Sequence, residues 1–193
     1  MKFSLGKEWD DLKKFENLTD DEKSIVFYSE NEDSSFIFNS LIDELTTKFG
    51  INICYVTSSK DESILKREND KIKTFYIGDG AARTKFFLYL RAKIIIMTMP
   101  DLETLHIKRS KIFPVEYVYV FHAMVSTHLV YRKAAFDNFD TIFCVGNYQI
   151  EEIRNAEKVY NLKPKNLVKF GYPHLDNLLE KNLNKKLEYD KKK

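Results

Sequence analysis

Apolar and polar positions fall in blocks along this chain. Short apolar runs rich in β-branched and aromatic residues recur, separated by stretches of helical spacing. The runs are SIVFYSE at 24–30, INICYVT at 51–57, IKTFYIG at 72–78, KIIIMTM at 93–99, YVYVF at 117–121, TIFCV at 141–145 and LVKF at 167–170. Runs such as IIIMTM and TIFCV lack strict alternation, which fits strands covered on both faces of a parallel sheet. Between the runs, residues 35–49 present Phe36, Phe38, Leu41, Ile42, Leu45 and Phe49 to a core, and Gly50 stops that helix. A short helix to Arg67 and a helix over 81–91 are also predicted, with helices in the intervals that separate the strands at 117, 141 and 167. Pro100 breaks the fourth strand, and 101–113 reads as irregular or briefly helical. Strand–helix–strand units of this length imply parallel crossovers. The predicted fold class is therefore α/β: a Rossmann-like, doubly wound, mainly parallel sheet of about six or seven strands.

Residues 2–20 precede this pattern and read as an amphipathic helix, with Leu5, Trp9, Leu12 and Phe15 near helical spacing. Two uses are open: packing on its own domain, or contact with a membrane surface or partner. Residues 21–180 form the predicted Rossmann-like domain. Residues 181–193, rich in lysine, read as a charged linker or tail.

Composition narrows the class. A chain of 193 residues can bury one good core. The net charge of +2 gives no sign of a nucleic-acid binder. Two cysteines, Cys54 and Cys144, both inside apolar runs, read as buried thiols and not as a disulfide framework. The first twenty residues do not form a secretory signal, and no apolar run reaches the ~20 residues that cross a bilayer. A cytoplasmic protein is expected, at most peripheral to a membrane.

Candidate chemistry gathers where strands end. Open α/β sheets bind ligands outside the carboxyl ends of their strands. The run at 117–121 stops at His122, the run at 141–145 at Gly146, and the run at 167–170 at Gly171-Tyr172-Pro173. An imidazole with a pKa near ~6.5 can accept a proton from an attacking hydroxyl at neutral pH. His122 is therefore the candidate base, against the alternative of a structural histidine. Ser126 or Thr127 can cap a following helix, whose free amides would attract phosphate. His128 fits either an acceptor site or helix packing, and Arg132 either phosphate or solvent. His174 follows the Gly171-Tyr172-Pro173 turn. Arg83, Lys85, Arg91 and Lys93, with His106 to Lys111, make a locally basic stretch that would suit an anionic polymer or simply be solvated. Gly78-Asp79-Gly80 reads as a tight turn, and neither zinc spacing nor a nucleophile elbow is present.

The block from Tyr117 to Asp176 carries a resemblance. It joins a strand running into His122-Ala123, a strand ending in Cys144-Val145-Gly146, and the segment Gly171-Tyr172-Pro173-x-x-Asp176. In these features the chain resembles the N-terminal half of the CDP-glycerol glycerophosphotransferases, the teichoic-acid-type polymerases and primases of cell-envelope and capsule synthesis. It departs from them in having Ala123 where glycine is frequent and His174 where arginine is frequent. The resemblance implies one half of a glycosyltransferase-B fold that holds the acceptor, with His122 as general base; His128, Ser126, Arg132 and His174 are the candidate acceptor-binding groups beside it. No cofactor and no metal are expected. CDP-glycerol would be the donor substrate, held mainly by a C-terminal donor domain beyond this chain, which alone would be inactive. The implied acceptor is an anionic polymer or a lipid-linked primer, reached at the inner face of the cell membrane. A sugar-nucleotide glycosyltransferase or epimerase of the same architecture, and a non-catalytic Rossmann-like binding module, are the competing readings.

Overall fold

The computed structural model describes residues 6–31, 35–66, 69–103, 107–176, 178, 179 and 182. The predicted helix start at 2–5, Arg67, His106 and most of the run 177–193 lie outside the described residues. The apolar runs become β1 (Ile25–Ser29), β2 (Ile53–Thr57), β3 (Ile72–Tyr76), β4 (Ile94–Met97), β5 (Glu116–Val120), β6 (Thr141–Cys144) and β7 (Asn166–Lys169). They form one seven-stranded sheet of order β3-β2-β1-β4-β5-β6-β7. Every pairing is parallel, with Phe27 beside both Tyr55 and Ile96, Tyr119 beside Ile142, and Phe143 beside Val168. The chain winds outward from β1 to β3, returns to place β4 against β1, and then winds the other way. The strand order reverses between β1 and β4.

The sheet is sandwiched because alternate strand residues feed two separate cores. On one face Val26, Tyr28, Val56, Met97, Tyr117 and Tyr119 meet Leu12 and Phe15 of α1 (Lys7–Glu16), Phe86 and Phe87 of α3 (Ala81–Leu88), and Ile153 of α5 (Asn147–Val159). On the other, Phe27, Tyr55, Ile96, Val118 and Val120 pack with Ile37, Phe38 and Ile42 of α2 (Ser35–Asp43). Side chains such as Phe27, Tyr55 and Phe87 are wholly buried, each removing apolar area from water worth about 1.5–3 kcal/mol.

α1 packs on its own domain. Phe15 meets Phe75 edge-on at 5.4 Å and Phe86 at 5.1 Å. Asp11 accepts a hydrogen bond from the Tyr76 backbone N–H at 3.1 Å, covering an outward amide of the edge strand β3. The helix is shorter than the 2–20 periodicity predicts. It ends at Glu16 because Lys23 draws the Glu16 and Leu18 carbonyls to its ammonium, and Thr19 and Glu22 bond each other in a turn.

Two other helices differ from expectation. The 35–49 helix becomes α2 followed by a π-helical turn, Glu44–Lys48, where Thr46 and Thr47 hydroxyls back-bond to Ile42 and Asp43 carbonyls. The helix predicted over 81–91 closes at Leu88, so that Leu90 and Ala92 turn into the core.

Between β5 and β6 the only helix among the described residues is α4 (Thr127–Val130); the remainder is turns. An aromatic cluster explains this. Tyr119 and Phe121 contact Tyr131, Phe136 and Phe139 with ring centroids 4.9–6.5 Å apart. Seating all three rings beneath β5 requires a left-handed kink, taken at Ala134 with φ 69°. Each such pair adds about 0.5–1.5 kcal/mol beyond area burial. The segment that follows His122 is therefore pinned from below. Among the described residues no helix is long and apolar enough to cross a membrane.

Candidate functional site

The reversal of strand order opens a crevice outside the carboxyl ends of β1, β4 and β5, where neighbouring connections leave to opposite faces. Glu30 and Asn31 continue from β1, Thr98, Met99 and Pro100 from β4, and His122 from β5. With Phe36 of α2 they line a cavity of about 250 Å³. His122 is exposed as a residue, yet its imidazole is partly desolvated against the wall. Burial holds its pKa below 6.5, while a hydrogen bond with the Thr98 backbone pulls the other way. The ring is therefore neutral at pH 7, the form able to accept a proton.

The segment after β7 packs beside the crevice without lining it. The Tyr172 hydroxyl donates to the His122 carbonyl at 3.1 Å. The Tyr172 ring meets His174 at 5.9 Å, and His174 packs on Phe36 at 4.8 Å. The Gly171 backbone, at φ 87°, makes the bend that glycine adopts without strain. His174, 52 positions from His122 in the chain, is thus joined to the crevice residues through Phe36 and Tyr172 but does not itself line the crevice.

The structure does not bring Ser126, His128 and Arg132 to that crevice lining. Ser126 caps α4, accepting from Leu129 N–H, and lies 3.1 Å from His128 Nδ1. Glu152 of α5 sits at this helix start. It accepts from both the amide and the hydroxyl of Thr127, the latter at 2.7 Å, and lies 3.5 Å from His128 Nδ1. Burial pushes the Glu152 carboxyl up, but the bonds from Thr127 and Ser126 and the nearby His128 outweigh it, so its pKa falls below the usual value. The amide expected to be open to phosphate is thus occupied by the protein's own carboxylate. His128 and Arg132 line a separate cavity of about 170 Å³ between the 127–137 segment and α5, with Tyr131, Lys133 and Tyr160. Arg132 pairs with Asp101.

The basic stretch is likewise drawn into internal pairs. Arg83 reaches Glu30 at 3.2 Å, Lys85 reaches Glu16 at 2.7 Å, Arg91 reaches Asp20 at 3.2 Å and Arg109 reaches Asp140 at 2.9 Å. Arg109 also donates to the Asn138 and Val115 carbonyls and stacks on Tyr117. These cations join helices and loops of the domain to one another.

Sequence reasoning missed Glu30, Phe36, Thr98 and Glu152. Glu30 and Thr98 directly follow β1 and β4, a usable signal once the strand order is known, while Phe36 lies in the first turn of α2. Nothing local marks Glu152, which acts from 25 residues away.

Residues 13–192 match the family model described as CDP-Glycerol:Poly(glycerophosphate) glycerophosphotransferase. No curated protein and no solved structure matches the chain.

Proposed function

The chain belongs to the CDP-glycerol:poly(glycerophosphate) glycerophosphotransferase family, and from that premise we propose that it is the acceptor-side domain of a transferase that moves glycerol phosphate from CDP-glycerol onto a hydroxyl. The observation that carries this reading is His122, neutral at pH 7, at the carboxyl end of β5 and opening into the crevice where the strand order reverses.

The His122 imidazole takes the proton of the acceptor hydroxyl. The acceptor oxygen bonds to the phosphorus that bears glycerol. The bridging P–O bond to the cytidine phosphate breaks, and CMP leaves with that electron pair. The base matters because an alcohol attacks phosphorus poorly while it keeps its proton; positioned proton transfer is worth about 10²–10⁴-fold. Tyr172, through the His122 carbonyl, and His174, through Phe36, brace the crevice residues from the segment after β7. In this reading the cytidine diphosphate moiety is bound by a donor domain facing the crevice, and the acceptor is a cell-surface polymer or its lipid-linked primer.

The test is CMP release from CDP-glycerol with a glycerophosphate-primed lipid acceptor, measured with the donor domain present and absent. The expected result is turnover with the donor domain and a drop of about 10²-fold or more in His122→Ala, with donor binding retained. Equal turnover by His122→Ala would remove His122 from the chemistry. Absence of CMP release, with binding of a different sugar nucleotide, would replace the glycerophosphate reading with a glycosyl-transfer one.

A further inference from the structure

We propose that the Glu30 carboxylate, held by Arg83, accepts a hydrogen bond from the hydroxyl adjacent to the one that attacks, so that the crevice reads the end of the acceptor as a vicinal diol. This rests on the acceptor-side reading above and adds to it a specificity-determining residue and the feature that residue recognises.

Pockets that enclose a whole small molecule run to about 300–1,000 Å³. The crevice, at about 250 Å³, is smaller. It suits an end group, with the rest of an acceptor chain and its phosphates lying outside the mouth. Glu30 follows β1 and His122 follows β5, with β4 between them. Two strand spacings set their backbones about 9–10 Å apart. A carboxylate and an imidazole reaching in from the two sides leave space for a short polyol. Phe36 and Met99 give its carbon atoms apolar contact.

The Glu30 carboxylate has one oxygen engaged and one open. Oε1 lies 3.2 Å from Arg83 Nη1, in the first turn of α3. Oε2 has no hydrogen-bond partner among the described residues. The Arg83 side chain is 10% exposed, against 47% for that of Glu30. The cation is therefore anchored in the domain, and the carboxylate it fixes is presented to the crevice. An ionised carboxylate only accepts hydrogen bonds. The neutral imidazole accepts the proton of the attacking hydroxyl. Two acceptors on opposite sides of one small space call for two donors, and a vicinal diol carries two hydroxyls on neighbouring carbons. An end with a single hydroxyl satisfies His122 and leaves Glu30 Oε2 without a donor.

The experiment compares two probes that differ by one hydroxyl. sn-Glycerol 3-phosphate ends in a vicinal diol; 3-hydroxypropyl phosphate keeps the primary hydroxyl and lacks the secondary one. Each is titrated into the chain, with the His122 ring carbon–proton resonance as reporter, in the wild type, Glu30→Gln and Glu30→Ala. The wild type should bind the diol at least about tenfold more tightly, the size of one hydrogen bond to a charged group. Glu30→Ala should bring the two affinities within about twofold of each other, and Glu30→Gln, whose carboxamide oxygen accepts without charge, should fall between. Both probes carry the same phosphate, so a change in overall charge moves both alike and cancels in the ratio. Glu30 is exposed, so both variants retain the buried core; an unchanged amide spectrum away from the crevice checks this. Equal affinities in the wild type, a ratio that survives Glu30→Ala, or a His122 resonance that neither probe moves overturns the proposal. Failure of the glycerophosphate-transfer reading shows instead as missing CMP release, which these donor-free titrations do not use.

Discussion

Replacing Glu152 with glutamine tests how the loop that carries His122 is held. In the native domain the Glu152 carboxylate accepts from the Thr127 amide and hydroxyl and faces His128. A hydrogen bond to a charged group contributes about 1.5–3 kcal/mol and a neutral one about 0.5–1.5. Glu152→Gln keeps the shape and converts charged bonds to neutral ones, so each weakens by about 1 kcal/mol. Two bonds give about 2 kcal/mol, reduced to roughly 1–2 because the side chain is 20% exposed. For a domain of this size 1 kcal/mol moves Tm by about 2–4 °C, so Glu152→Gln should melt roughly 2–8 °C lower at pH 7. The pH dependence has a definite sign. The Glu152 pKa is depressed in the folded state, so its contribution is complete above the unfolded value of about 4.5 and is lost as pH falls through the lower folded value. Calorimetry should therefore show the gap between wild type and variant closing as the solution is acidified. A gap under about 1 °C at pH 7 would refute the assignment of Glu152 as the anchor of this loop. So would a gap of constant size down to the lowest pH at which both proteins stay folded.

Three further outcomes follow from the same geometry. Because burial depresses the His122 pKa, its stabilising contribution is present above about 6.5 and fades as pH falls through the lower folded value; an NMR titration should place the His122 midpoint below 6.5, and a midpoint above it would contradict the crevice environment. Tyr172→Phe removes one hydroxyl bond to the His122 carbonyl, worth about 0.5–1.5 kcal/mol, and should shift the imidazole resonances of both His122 and His174; unmoved resonances would show that Tyr172 does not tie the segment after β7 to the His122 loop. Burial pushes the Cys54 and Cys144 thiols up to about 12, so a thiol reagent at pH 8 should label them only at the rate of unfolding, and immediate labelling of either would refute the packing around it.

Much of this protein is fixed locally, and that part was legible in the sequence. Seven apolar runs with turn residues at their ends mark seven strands, because burial on both sheet faces leaves no room for alternation. The end of the run at 117–121 marks His122 because a polar residue cannot continue into that core. Gly171-Tyr172-Pro173 marks a bend, because glycine takes φ 87° without strain. The helices were legible as to existence and imprecise as to ends, since their ends are set by distant partners such as Lys23 on the Glu16 carbonyl.

What remained was decided by contacts far apart in the chain. Only the strand order β3-β2-β1-β4-β5-β6-β7 places Glu30, Thr98 and His122 around one opening. Composition does not encode that order; it comes from which edges the packed helices leave free to pair. Only the aromatic cluster beneath β5 turns residues 131–139 into a kinked loop where helical spacing suggested a helix. It also directs His128 and Arg132 to a different cavity from His122, although the three lie within eleven positions. Sequence proximity sets which residues can share a loop. Which side of that loop each residue faces depends on the core it covers, and that core is assembled only when the chain folds.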